Sequence, residues 1–186
     1  MKHVKAHIVV PETSSFGLKK TMLSPETYKI HSHKNFELNY IVNGSGTRIV
    51  GDNIESFSRG DLVLLGPDLP HCWEVKSVRK GLNPECITIH FQEDFIGQNI
   101  MKSPELKPVI GLLNDSYSGI QFSGEFATKV GHIMYKMTDA TNLRRLIYLF
   151  EIFEILIGAR EWKVLARPGF FEDTKRTQSD KLNKVF

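Results

Sequence analysis

The stretch HSHKNFE, residues 31–37, decides how the rest of the chain is read. His31, His33 and Glu37 all carry odd numbers, and alternate side chains of a strand share a face. Read as one continuous strand, the stretch sets two imidazoles and a carboxylate side by side. That is half a shell for a divalent ion. A further imidazole, His71, follows the turn Gly66-Pro67-Asp68. A strand starting there and lying beside the first brings three nitrogens and one oxygen together. Such a shell leaves one or two coordination positions open. It suits Zn, Ni, Fe or Mn and does not choose among them. Without a metal the same groups satisfy one another, because a buried carboxylate favours a protonated imidazole beside it.

Outward from this stretch, residues 1–98 read as β structure. Short runs rich in β-branched and aromatic residues occur at 28–30, 37–42, 47–50, 62–65 and 87–91. Turn signals separate them: NGSG at 43–46, GDN at 51–53, RGD at 59–61 and GPD at 66–68. No helix-period segment intervenes, so parallel βαβ units are not expected, and a sandwich or barrel is. Asn39 and Ile41 continue the face of Glu37, and Trp73 that of His71, so all three are expected in the same cavity. Cys72 has the opposite parity and is not counted as a ligand. His90 reads as a barrel histidine, and Cys86 as a small core residue.

Residues 99–165 read as helical. Ser103-Pro104-Glu105 has the order of an N-cap, a first-turn proline and a first-turn acid, which starts a short helix ending near Asn114. Ser123 caps a second helix, in which Phe126, Val130, Ile133, Met134 and Met137 recur on one apolar face. A third runs over about 143–160. Its apolar surface is wider than one neighbour requires, which points to deep burial or to burial shared with a second subunit. In the shared case Leu146, Phe150, Phe153 and Ile157 form a homodimer interface. Residues 166–186 are polar and read as a linker.

The spacing at the centre resembles the cupins. Their first signature runs HxH, three residues, Glu, six residues, Gly, and His31, His33, Glu37 and Gly44 meet it without a gap. GDLVLLGPDLPH at 60–71 resembles the second, with Asp68 where glycine is usual, Pro67 shifted by one place, and Val75 where asparagine is common. The wording of residues 31–75 is closer still to the N-terminal sensor domain of AraC-type transcription regulators. ITIHFQEDF at 87–95 resembles the last strand of such domains, the helices after Ser103 their dimerisation pair, and SDKLNKVF at 179–186 the start of the helix into a DNA-binding half. The resemblance implies a cupin double-stranded β-helix (jelly-roll) barrel followed by two or three α-helices. It implies a small-molecule effector bound near His31, His33, Glu37, Asn39, Ile41, His71 and Trp73, with one divalent metal at the His/Glu set as a possible cofactor. DNA would be bound only through a further C-terminal domain, and the chain itself is not expected to be an enzyme. A metal-dependent cupin enzyme, a dioxygenase or isomerase, is the alternative.

Composition fits these readings. The chain has 186 residues, 41% hydrophobic and 24% charged, with net charge +3. This is the balance of an ordinary globular protein. Like charges are not clustered into a nucleic-acid surface, and the basic residues Arg167, Lys175, Arg176, Lys181 and Lys184 read as a solvated linker. The longest apolar run, 146–157, is interrupted by Glu151 and Glu154 and falls short of the roughly 18 residues a membrane span needs. The polar opening MKHVKAHIVVPETSS is no secretory signal, and two cysteines make no disulfide framework, so a cytoplasmic address is expected.

Overall fold

Turn residues at close spacing keep the strands short, and in the computed structural model these strands stack into two sheets. The structure describes residues 3–24, 28–78, 80–159, 161–167 and 170. The strands are β1 (Val4–Lys5), β2 (Gly17–Met22), β3 (His31–Ser32), β4 (Phe36–Asn43), β5 (Ser45–Val50) and β6 (Asn53–Phe57), followed by β7 (Leu62–Leu65), β8 (His71–Ser77), β9 (Glu85–Phe91), β10 (Ile120–Phe122) and β11 (Lys163–Val164). One sheet has the order β1-β3-β8-β5-β6, the other β11-β10-β7-β4-β9-β2. The chain crosses repeatedly between the two, as in a cupin barrel. All pairings are antiparallel except that of β1 with β3. The helices are α1 (Gln98–Met101), α2 (Lys107–Asp115), α3 (Gly124–Asp139) and α4 (Asn142–Ile157).

The six-stranded sheet is the middle of three layers. Its outward residues Leu38, Leu62, Leu64, Ile87, Ile89 and Phe91 pack against Leu112, Val130, Met134, Leu149, Ile152 and Phe153 of the helices. Its inward residues Ile41, Val63, Leu65 and Cys86 meet Val50, Phe57, Leu69 and Trp73 inside the barrel. Burial on both faces explains why β7 reads as an unbroken apolar run rather than an alternating one. The helix layer lies close. The ring of Tyr40 occupies the space a side chain at residue 131 would need, so Gly131 admits α3 to the sheet.

Several elements differ from the expectations. Residues 31–37 are not one strand: β3 ends at Ser32, a bend takes up 33–35, and β4 begins at Phe36. The run at 28–30 is not a strand either. β2 (GLKKTM) is mostly solvated edge, so its composition lacks a strand's apolar content. β10 and β11 lie within the segment read as helical and extend the sheet beyond β7. Ser103 precedes a 3-10 turn at Pro104–Leu106, and α2 follows it. The tail from 171 onwards, with the resemblance at 179–186, lies outside the described residues.

A buried polar network ties the two sheets. Arg48 on β5 is fully buried, and its Nη1 donates to Asp61 Oδ1 just ahead of β7. Trp73 Nε1 on β8 donates to Asp61 Oδ2 at 3.1 Å, and Gln121 Nε2 on β10 donates to Asp61 Oδ1 at 2.6 Å. Arg48 Nη2 also reaches Glu55 Oε2 on β6, at 3.2 Å. Removing one partner of a buried ion pair strands the other charge. We therefore expect Asp61→Ala to cost about 3–5 kcal/mol in urea unfolding. A loss below about 1 kcal/mol, the range of an exposed pair, would show that Arg48 finds compensation elsewhere.

Candidate metal centre in the barrel

The bend at 33–35 matters to the centre, because it turns His33 inward between two strands. His31 on β3 faces His71 on β8 across an antiparallel pair, with ring centroids 4.4 Å apart. Glu37 on β4 lies beside His90 on β9. One ligand atom each from His31, His33, Glu37 and His71 lie within 4.8 Å of one another. His33, Glu37 and His71 are buried and His31 is partly so.

The outer nitrogens decide which atoms face inward. Each Nδ1–H donates to a main-chain carbonyl two residues away: His31 to Lys29 at 2.9 Å, His33 to Asn35 at 3.0 Å and His71 to Leu69 at 2.8 Å. These acceptors assign the tautomer and leave all three Nε2 atoms for the centre. Metal-binding histidines are oriented by outer hydrogen bonds of this kind. His71 Nε2 is buried and makes no hydrogen bond. An orphaned imidazole nitrogen aimed at two imidazoles and a carboxylate is what a divalent ion would satisfy, so the residues present fit a metal.

Glu37 supplies the charge. Its Oε2 lies 2.8 Å from His33 Nε2, 3.0 Å from His90 Nε2 and 3.4 Å from His71 Nε2. Burial alone would push this carboxyl up. The facing His71 and the bonds from the imidazoles outweigh burial and hold it well below the usual carboxylate value of 4.5. Burial would likewise lower His71, but the Glu37 carboxylate raises it above 6.5. His31 is lowered, first by burial and then by the neighbouring His71. The carboxylate thus favours a proton on His71, while burial and the neighbouring His71 disfavour one on His31.

Glu37 has a partner that sequence reading did not give it. His90 bonds directly to the carboxylate, and its ring meets that of His33 edge-on at 5.1 Å. Its signal was parity. Cys86, Thr88 and His90 alternate along β9 on the face opposite Ile87 and Ile89, toward the barrel interior. The register of β4 with β9, which joins His90 to Glu37, was not readable.

The remaining expected residues divide. Asn39 Oδ1 accepts from Thr88 Oγ1 at 3.3 Å, and Ile41 is packed in the apolar part of the interior. Trp73 touches His71 edge-on at 5.9 Å, but its indole N–H is held by Asp61, so it serves the barrel's core. Burial raises both thiols, Cys72 and Cys86, to about 11, so neither is a ready thiolate. On α4, Phe153 is 2% exposed and packs edge-on against Phe91. It belongs to the chain's own core and leaves the expected interface. Leu146 and Phe150 are partly buried at the core's margin, and Ile157 is 37% exposed. Asp68 replaces the usual glycine while adopting φ 62°. Aspartate tolerates this left-handed region better than most residues. Its N–H donates to the His33 carbonyl at 2.7 Å and its Oδ2 accepts from Lys34 at 2.7 Å, so the turn is tied to the centre.

No protein-family model matches the chain, and no curated protein does. Among solved structures it resembles the AraC-like transcriptional activator CuxR, with a TM-score of 0.52 and 12% identity over 93% of this chain and 63% of that one. It also resembles apo ToxT from Vibrio cholerae, in a variant form, with a TM-score of 0.52 and 11% identity over 90% of this chain and 65% of that one. The chain spans less than two thirds of either structure. At such identities the likeness is one of fold, and the fold is that of AraC-like regulators.

The charge pattern has a sign. Glu37 is depressed, so its contribution to stability is present above the unfolded carboxylate value of 4.5 and is lost as pH falls through its folded value. His71 is raised, so its contribution is full below the unfolded value of 6.5 and is lost as pH rises through its folded value. Metal-free protein should therefore gain most from the pair between pH 4.5 and 6.5. Urea unfolding in chelator across this range should show a gap between the parent and Glu37→Gln that narrows on both sides. A gap constant with pH would remove the ion pair from the account.

Proposed function

We propose that this chain is the effector-sensing and dimerisation domain of an AraC-type transcriptional regulator. The observation that carries the reading is a fold shared with AraC-like regulators over nine tenths of this chain and under two thirds of theirs. Residues 1–98 form the sensor barrel, 99–165 the dimerisation segment and 166–186 the linker to a helix-turn-helix half that binds DNA. The protein works in the cytoplasm. Among the described residues no helix is long and apolar enough to cross a membrane.

The centre is the sensing end. His31, His33, Glu37 and His71 would hold one divalent ion, which would act as a Lewis acid towards an oxygen of the effector. Asn39 and Trp73 lie on the same interior faces. His90 steadies the Glu37 carboxylate. Effector binding switches the protein only through unequal affinity for two arrangements of barrel and helices. The same histidine tautomers also favour a second reading, a metal-dependent cupin enzyme, in which a substrate takes the open positions.

Metal analysis tests the centre on which both readings draw. Protein purified without chelator or nickel resin should carry near-stoichiometric metal, and the His33→Ala, Glu37→Ala double variant should carry none. Metal-free parent that takes up no Zn, Ni, Fe or Mn on dialysis would eliminate the enzyme reading and leave an organic effector against a polar wall. The dimer is tested at the helix surface. Ile157→Asp, at an exposed position, should leave the fold intact and shift sedimentation from dimer to monomer. A folded variant that remains dimeric would move the interface off α4.

A further inference from the structure

Two cavities adjoin beside the barrel, and the first reaches the centre only through His90, which bonds the Glu37 carboxylate. One, of about 460 Å³, lies between the N-terminal segment, β2 and β9, and Lys19, His90 and Arg145 line it. The other, of about 340 Å³, lies between the same segment and the start of α4, and Ser14, Ser15, Thr141 and Arg145 line it. Both share Ser14, Phe16, Leu18 and Arg145. Neither has an Asp or Glu in its lining. Glu12, in the covering loop, is exposed and lines neither.

Arg145 is held in place without being neutralised. Its Nε donates to the Met137 carbonyl at 3.2 Å, and its Nη2 reaches the Thr138 carbonyl at 3.5 Å. These acceptors belong to the last turn of α3. Among the described residues no carboxylate pairs with it. A guanidinium anchored by carbonyls that lines two cavities, with N–H groups beyond those two bonds, is suited to a planar or tetrahedral oxyanion. Lys19, in the lining of the first cavity, adds a second basic side chain. Ile8, Val9, Phe16, Leu18 and Leu146 supply apolar wall. The contrast with a larger cavity of about 830 Å³ is informative. Lys34, Lys102 and Lys107 line that one, but so do Glu93 and Asp94, and Lys34 is already paired with Asp68. Its cations are offset where those around Arg145 are not.

We propose that the cavities on either side of Arg145 form one site for a small organic anion, a carboxylate or phosphate group carried on an apolar body. The site lies outside the set His31, His33, Glu37 and His71, and it rests on neither a metal nor the regulator reading. Its place is mechanically apt, because it joins the N-terminal segment, the barrel edge and the turn between α3 and α4.

Titration of the 186-residue chain with benzoate and with phenyl phosphate, followed by backbone amide NMR, tests this. Saturable shifts should appear at residues 14–19 and 141–146 with at least one probe. The probe that binds more tightly identifies the oxyanion. Arg145→Gln should weaken binding about tenfold, the scale of one charge-assisted hydrogen bond. Should Arg145→Gln unfold, Lys19→Gln removes the second cation without touching α3 and should weaken binding about threefold, as a partly screened charge does. Lys102→Gln should change nothing. The proposal is overturned if neither probe saturates, if binding is equal in the parent and Lys19→Gln, or if the shifts map to the cavity of Lys34, Lys102 and Lys107.

Discussion

A sheet buried on both faces is the constraint from which the rest follows. Strands β4, β7 and β9 are wedged between a helix layer and a second sheet, and alternation sends their residues to two separate interiors. Leu38, Leu64 and Ile89 anchor the helices, while Glu37, Asn39 and His90 are carried inward by the same backbone. A slip of one residue in β4 would exchange the two sets. It would put a carboxylate among leucines and a leucine among imidazoles. The apolar packing on the helix side therefore fixes the register that builds the polar centre on the other.

Inside the barrel, polarity is kept at two depths. At one, a lone carboxylate faces four imidazoles, three of them pinned from behind by a carbonyl. At the other, Arg48 and Asp61 neutralise each other within a shell of hydrogen bonds that includes Trp73 and Gln121. The two differ in what faces what. In the second, a carboxylate meets a guanidinium between the sheets, and such a paired network braces the barrel even though Arg48 Nε makes no hydrogen bond. In the first, His71 Nε2 makes no hydrogen bond and lies among two further imidazoles and a carboxylate, a donor set with free energy to gain from a cation. The first cluster is thus the candidate for chemistry.

Much of this was legible in residues 31–75. The spacing of His31, His33, Glu37 and His71 pointed to the cluster that the barrel brings together, and the turn signals to most of the barrel. Three things lay beyond reach. The bend at 33–35 is a local backbone choice that parity arithmetic treats as straight strand, yet the histidines converge because β3 pairs with β8 from the far side of the turn. His90 needed a register between strands about fifty residues apart. Phe153 was misplaced because a fully apolar helix face looks alike whether it meets a sheet or a second subunit. Only packing distinguishes them, and here Phe91 and Phe95 fill that face. Asp68 is the opposite case: a departure from the usual glycine is accommodated, since its backbone keeps a left-handed, glycine-like conformation.

The small strand β10 carries a last consequence. It covers the outer hydrogen-bonding edge of β7, whose four residues are wholly buried. Cut after residue 98, the barrel would present Leu62–Leu65 as a bare, flat, apolar edge, the kind that templates aggregation. Barrel and helices are therefore one folding unit: a break in the chain between them costs the sheet its edge cover, and one that spares the sheet lies only beyond β11.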